Sequence, residues 1–410
     1  MKFMSRRRER TAVRSHDVKP EARHFLKFSA PGAAILAVAA ATVVAVPASA
    51  SASTDASPVV GHVYVNDNTA GTNTIGAFNR HADGTLTPEA GSPFAAGGAG
   101  TGSGLASQGA LQLSANGQFV IAVDAGSNQV SVLRVLGNGA LLSMPGGVIS
   151  SGGVLPDSVA VHGNLAYVAN SGSGGSNYTG FRLGPDGRLN LIPGSTVPLP
   201  SGSAPGDVLF NGTGSKLAGT RVGTSLIDSF TVGGDGLLTA APGSPFPAQG
   251  LGPFGSEFRP TNPGQLFVSN AHNAGAGTGT VSAFTDSPDG TLTSTGASPF
   301  ADDQTAPCWV EITHDGQFLF TVNTGSGEIS RYQIAPDGVL TLLGSTPVGQ
   351  TGGVGAVDPR LSPDGRFLYV NESRIGAVGV FAVNGGSLTE LAASPVALPA
   401  GATPAGIVVT

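Results

Sequence analysis

The stretch SPDGRFLYVNESRIGAVGVF, Ser362 to Phe381, decides the architecture. Asp364-Gly365 is a tight-turn pair, because glycine accepts the positive φ that closing a hairpin requires. The apolar run FLYV follows and ends on the polar Asn371, then a variable loop leads into a second alternating run, Val378 to Phe381. Alternation with period two bounded by turn residues reads as strands. The same opening recurs as THDGQFLF around Gly316 and SANGQFVIAV around Gly117. A second set of turns precedes a further short strand, in HADGTLT (Gly84), GPDGRLN (Gly187), GGDGLLT (Gly236), SPDGTLT (Gly290) and APDGVLT (Gly338).

Aligned on the strand that ends in a polar residue, the copies read HVYVN (Asn66), FVIAVD (Asp124), LAYVAN (Asn170), KLAGTR (Arg221), LFVSN (Asn270), LFTVN (Asn323) and LYVN (Asn371). The steps are 58, 46, 51, 49, 53 and 48 residues. Two hairpins per copy give four antiparallel strands, and four-stranded units repeated radially make a β-propeller. The first copy lacks a leading strand, whereas the C-terminal PAGIVVT reads as one. The expected fold is therefore all-β: a seven-bladed propeller of four-stranded antiparallel blades, closed by the C-terminal strand completing blade 1. Such closure pins the termini and removes a free sheet edge.

Composition agrees. Only 11% of the 410 residues are charged, while Gly and Pro number 63 and 29, which disfavours a helical chain. Residues 1–29 hold nine basic and three acidic groups, Ala33 to Val46 is apolar, and PASASAS follows. A basic region, a short apolar core and an Ala-x-Ala site make a cleavable export signal, and 14 apolar residues fall short of the ~20 that span a bilayer. The expected domains are a signal at 1–50, with Sec or Tat export left open, a linker at 51–58 and the propeller at 59–410. The exported product would be secreted or envelope-associated, with no transmembrane segment. Removing residues 1–50 leaves 11 basic against 23 acidic groups, a net charge of −12, which excludes nucleic acid as a natural partner. A single cysteine, Cys308, excludes an internal disulfide and a thiolate metal cluster. No metal or cofactor is expected; the expected partner is a small-molecule ligand or an envelope component, and the expected state a monomer.

The motif SPDGRFLYVN with its V-x-V-F and DG-x-L-T companions resembles the seven-bladed lactonase family, typified by 6-phosphogluconolactonase and carboxymuconate-lactonising enzymes, with YVTN-type repeats. The resemblance spans all seven copies and implies a hydrolase or cyclase acting on a small lactone or carboxylated substrate at the channel mouth. Where members often carry a His near the second inner strand, this chain has Gln108-Gly109. Their Gly-Pro-Arg-His stands here as Gly252-Pro253-Phe254-Gly255, and their Asp-Leu-Gly-x-Asp as Asp124-Ala125-Gly126-Ser127-Asn128. These departures keep open the alternative of a non-catalytic extracytoplasmic binding or scaffold protein.

Ligands are expected at the mouth where first strands begin and middle loops cross. Counting from the proline that opens each inner strand, the fourth position holds Glu257, Glu311 and Arg360 on three adjacent blades, and the second holds Asp207, Trp309 and Asp358. Arg360 would hold a carboxylate or polarise a lactone carbonyl, Glu257 or Glu311 would activate water, and Trp309 would offer a flat platform. A structural ion pair between Glu311 and Arg360, with Trp309 in the core, is the competing reading. Arg221 and His272 are further candidate ligand contacts. Asn66, Asp124, Asn170, Asn270, Asn323 and Asn371 are expected to cap loop backbone.

Overall fold

The turn chemistry does in the fold what it promises in the sequence. In the computed structural model, which describes residues 57–273, 275–349 and 355–410, Gly316 has φ +67 and Gly365 φ +68. The preceding aspartate fixes each bend: Asp315 Oδ1 accepts the Gln317 N–H at 3.0 Å and Asp364 Oδ1 the Arg366 N–H at 3.2 Å. Among the described residues the strands then form seven antiparallel sheets. Blade 6 is the simplest, running Pro307–Ile312, Phe318–Asn323, Glu328–Ile334 and Leu340–Pro347 from hub to rim. No helix long and apolar enough to cross a membrane occurs among the described residues.

Blade 1 is completed from the far end of the chain, as expected. Ile407–Val409 pairs with Val59–Asn66 in the register Val63 to Val409, Tyr64 to Val408 and Val65 to Ile407. Ser57 and Pro58, expected to be linker, already bond to the neighbouring hairpin: the Pro58 carbonyl accepts the Ala82 N–H. The expected export signal and the rest of the linker lie outside the described residues.

Two details differ from the sequence expectation. In five blades a two-residue strand adds to the four, where a Ser-Pro step, or Ser195-Thr196 in blade 3, breaks the outermost strand. Proline has no N–H for the ladder, and the serine Oγ takes over as acceptor: Ser92 for the Ala77 N–H at 2.8 Å, Ser244 for Ser229, Ser298 for Ala283 and Ser394 for Val380. In blades 2 and 6, which lack Ser-Pro here, the strand runs on unbroken. The second difference is register. Phe318 to Asn323 aligns with Phe367 to Glu372, since Asn323 pairs with Glu328 and Glu372 with Ala377 at the same step of the ladder. The strand-end position is thus filled by Asp67 and Glu372 in blades 1 and 7, one residue after Asn66 and Asn371.

Those strand-end side chains are structural. Asn170 Nδ2 donates to Asn177 Oδ1 at 2.9 Å, Asn270 Nδ2 to Ser282 Oγ at 2.9 Å and Asn323 Nδ2 to Ser330 Oγ at 2.8 Å, while Asp124 accepts from Ser131 and Asn73. Asn66 donates to the Val123 carbonyl of the next blade and Asn371 to that of Gly406.

Blades are packed through apolar clusters between sheets and stapled by tyrosines. The hydroxyls of Tyr64, Tyr167 and Tyr369 donate to the carbonyls of Gly139, Gly236 and Gly84, each in the outer turn of the next blade. A chain ending at Gly406 loses Ile407 and Val408, both buried. At about 1.5–3 kcal/mol per buried aliphatic side chain, it should lose about 3–6 kcal/mol of stability, read as a lower urea midpoint. Tyr369→Phe should cost about 1 kcal/mol in the same assay.

Candidate functional site

An inner strand has a paired outer edge and an unpaired inner edge facing the channel, so its inward N–H groups need acceptors other than a neighbouring strand. Blades 5, 6 and 7 supply them with carboxylates. Glu257 Oε2 accepts the Ile312 N–H at 2.7 Å, and Glu311 Oε1 accepts the Leu361 N–H at 2.8 Å. Arg360 follows on blade 7, its Nη1 3.2 Å from Glu311 Oε2. The three residues that the sequence placed on adjacent blades therefore do meet. Glu311 is buried and spent on Arg360 and the backbone. The Arg360 side chain is 31% exposed, with a buried Nε that has no partner.

Above them the channel is stoppered by residues 107–109, in the connection from blade 1 to blade 2. Ser107 Oγ donates to the Asp157 carbonyl of blade 3, and its own carbonyl accepts Trp309 Nε1 of blade 6 at 2.9 Å. The Gln108 N–H donates to the Gly206 carbonyl of blade 4, its Nε2 to the Ser256 carbonyl of blade 5, and its Oε1 accepts the Val310 N–H of blade 6. The Gly109 N–H reaches Asp358 Oδ1 of blade 7 at 3.3 Å. Three residues thus bond to five blades other than their own. Gly109 has φ +82, and a Cβ there would lie 3.1 Å from Ser158 Oγ, so glycine suits the close crossing.

This stopper reassigns several expected ligand residues. Trp309 is core, bonded to Ser107 and packed edge-on against Phe254. Asp358 joins Gly109 to the Gly406 N–H, tying blade 7 to blades 2 and 1. Asp207 accepts the Ser256 N–H at 2.9 Å and both the Ser256 and Ser158 hydroxyls, although one edge lines the cavity described below. Arg221 makes a two-pronged pair with Asp228, Nε to Oδ2 at 2.6 Å and Nη2 to Oδ1 at 2.5 Å, and Tyr178 donates to the same carboxylate. It fills the strand-end position of blade 4, its charge paired within its own blade. His272 is exposed in a middle loop on the loop face.

The cavity, about 300 Å³, lies on the other side of the stopper. It is lined by Gln108, Gln112, Asp207, Ser256, Glu257 and Arg360, with apolar walls that include Leu209, Phe210 and Phe258, and it reaches Gly212 and Pro260 in the hairpin turns. Inner strands end there, so this cavity opens on the turn face, whereas the sequence expectation put the mouth at the strand starts. Sequence reasoning placed Gln108 only as the residue standing where family members often carry a His, and missed Gln112 and Ser256. The signal was the first repeat step, the longest of the six, whose extra residues in the Gly-rich stretch 97–104 carry the chain over to the stopper.

Electrostatics follow from burial. Glu257 is pushed well above the usual carboxylate range by desolvation and by Glu311, against the opposing charge of Arg360. Glu311 is raised by desolvation, less strongly because Arg360 and the Leu361 N–H favour its anion, and Arg360 is held more firmly charged by Glu311. Burial also lifts Asp207 to about 7 and Asp358 to about 6.

Residues 259–404 match the family model described as Lactonase, 7-bladed beta-propeller. The chain is a seven-bladed propeller whose residues 259–404 resemble that family. No curated protein matches it. Among solved structures, the periplasmic gluconolactonase PpgL of Pseudomonas aeruginosa is 17% identical, with TM-score 0.67 over 85% of this chain and 99% of that one. A candidate 6-phosphogluconolactonase from Bacteroides fragilis is 20% identical, with TM-score 0.65 over 85% of this chain and 98% of that one. At these identities the likeness is one of fold.

The raised aspartates give stability a sign with pH. An acid whose folded pKa exceeds its unfolded value stabilises fully below the unfolded value and ceases to as pH rises through the folded one. For Asp207 and Asp358 that window runs from the ordinary aspartate value of 3.8 to about 7 and about 6. The Asp207 share is on the order of 4 kcal/mol at ~1.4 kcal/mol per unit. The thermal midpoint should fall between pH 4 and pH 8, and Asp207→Asn should flatten that slope.

Proposed function

We propose that this propeller is a hydrolase for a small lactone, bound in the cavity between Glu257 and Arg360. The carrying observation is that both side chains line one cavity of about 300 Å³, the lower end of the range for small-molecule sites. Arg360 turns its guanidinium to the lactone carbonyl and polarises it. Glu257 accepts a proton from water as the water oxygen bonds to the acyl carbon. The ring C–O bond then breaks, and the departing oxygen takes the proton back from Glu257, leaving a hydroxy acid. Desolvation makes Glu257 a stronger base than an exposed carboxylate, and Glu311 keeps Arg360 in place. The lactonase family match and the gluconolactonase fold relative support the substrate class. The basic and apolar leader supports an exported site of action.

A binding or scaffold role is the second reading, favoured by the number of hub charges committed to structure: Glu311, Asp207 and Asp358 all serve backbone or side-chain partners. A lactone panel decides between them. Under the hydrolase reading Glu257→Gln loses about 10²–10⁴-fold in kcat, and Arg360→Ala loses about 10²-fold or more. The wild-type rate climbs with pH as Glu257 ionises, and that limb is absent in Glu257→Gln. Equal rates in wild type and both variants favour the scaffold.

A further inference from the structure

We infer that the cavity holding Arg360 and Glu257 is a blind cup, sealed on the loop face by the fixed stopper Ser107-Gln108-Gly109 and entered by a small polar ligand from the turn face alone. The inference concerns access and stands whatever the ligand's chemistry, so it survives or fails separately from the lactone reading.

Three observations carry it. The stopper is bonded to five blades at once, so it cannot swing aside without leaving the Val310 and Gly109 N–H groups and the Trp309 Nε1–H unpaired in the interior. The Gln108 side chain forms the cup's floor, with both ends of its amide committed, Nε2 to Ser256 and Oε1 to Val310. At the opposite end the lining reaches Gly212, where an added Cβ meets nothing within 4 Å. That rim is open space.

The loop face offers a matched control. Gly104, in the connection leading to the stopper, is also open around its Cβ, and the neighbouring residues are fastened to the blade 1 middle loop: Asn68 donates to the Ser103 carbonyl and its own carbonyl accepts the Gly102 N–H. Neither glycine has a positive φ, so each accepts a side chain. The native thiol does not compete, since Cys308 is buried and pushed up to about 12.

The test uses Gly212→Cys and Gly104→Cys, each labelled with fluorescein maleimide, and butane-2,3-dione as an arginine probe, with Arg360 modification followed by peptide mass spectrometry. Unlabelled protein should be modified at Arg360. The label at 212 should slow that modification by about tenfold or more, as closing the only entrance of a concave site does, and the label at 104 should leave it within about twofold. Equal slowing by both labels, slowing by the 104 label alone, or no modification of Arg360 in unlabelled protein would each overturn the inference. An intact cup with no lactone turnover would sink the hydrolase reading and leave the access route standing.

Discussion

A closed ring of sheets has a hub at which seven strand edges face one another with no eighth strand to pair them. Everything else in this molecule answers that constraint. Unpaired N–H groups in a dry interior cost about 1–3 kcal/mol each, and here they are met by Glu257, Glu311, Asp207, Asp358 and the amide of Gln108. The closure of Val59–Asn66 on the inner strand Ile407–Val409 makes the ring; the stopper at the hub sets how its blades meet. Because Asp358 holds both Gly109 and Gly406, the two closures share a side chain.

Structure and possible chemistry therefore compete for the same charges. The side of the hub nearer the middle loops is consumed: Trp309 is locked to Ser107, and Asp207 to two serines. What is left over lies beyond the stopper, where Arg360 keeps a free Nε and Glu257 keeps one oxygen outside its backbone contact. A buried carboxylate beside a second carboxylate and one guanidinium is also where a proton is most easily moved. That is why the turn-face cavity, rather than the loop face, is the candidate for catalysis.

Much of this was legible in the sequence because each sign was local. Asp-Gly and Asn-Gly pairs fixed the hairpins, and the orphan strand at PAGIVVT announced the closure. Counting along the inner strands brought Glu257, Glu311 and Arg360 together. The misplacements arose where position depends on a partner far along the chain. Arg221 looked like a break in a polar series, but Asp228 across the next strand neutralises it. Asn66 and Asn371 looked like strand ends, yet the ladder continues one residue to Asp67 and Glu372, a slip that moves a side chain to the other face. Gln108 bonds to residues 148 and 202 positions away, and no local pattern records that.

Trp309 is the chain's only tryptophan, and its buried indole donates to the stopper, so acrylamide quenching of native fluorescence interrogates the hub without interference. A sealed hub gives blue-shifted emission that acrylamide barely quenches, and Gln108→Gly makes it quenchable while the far-ultraviolet strand signal persists. Emission from the native protein at the wavelength of free indole, quenched as readily as after denaturation, would contradict the account.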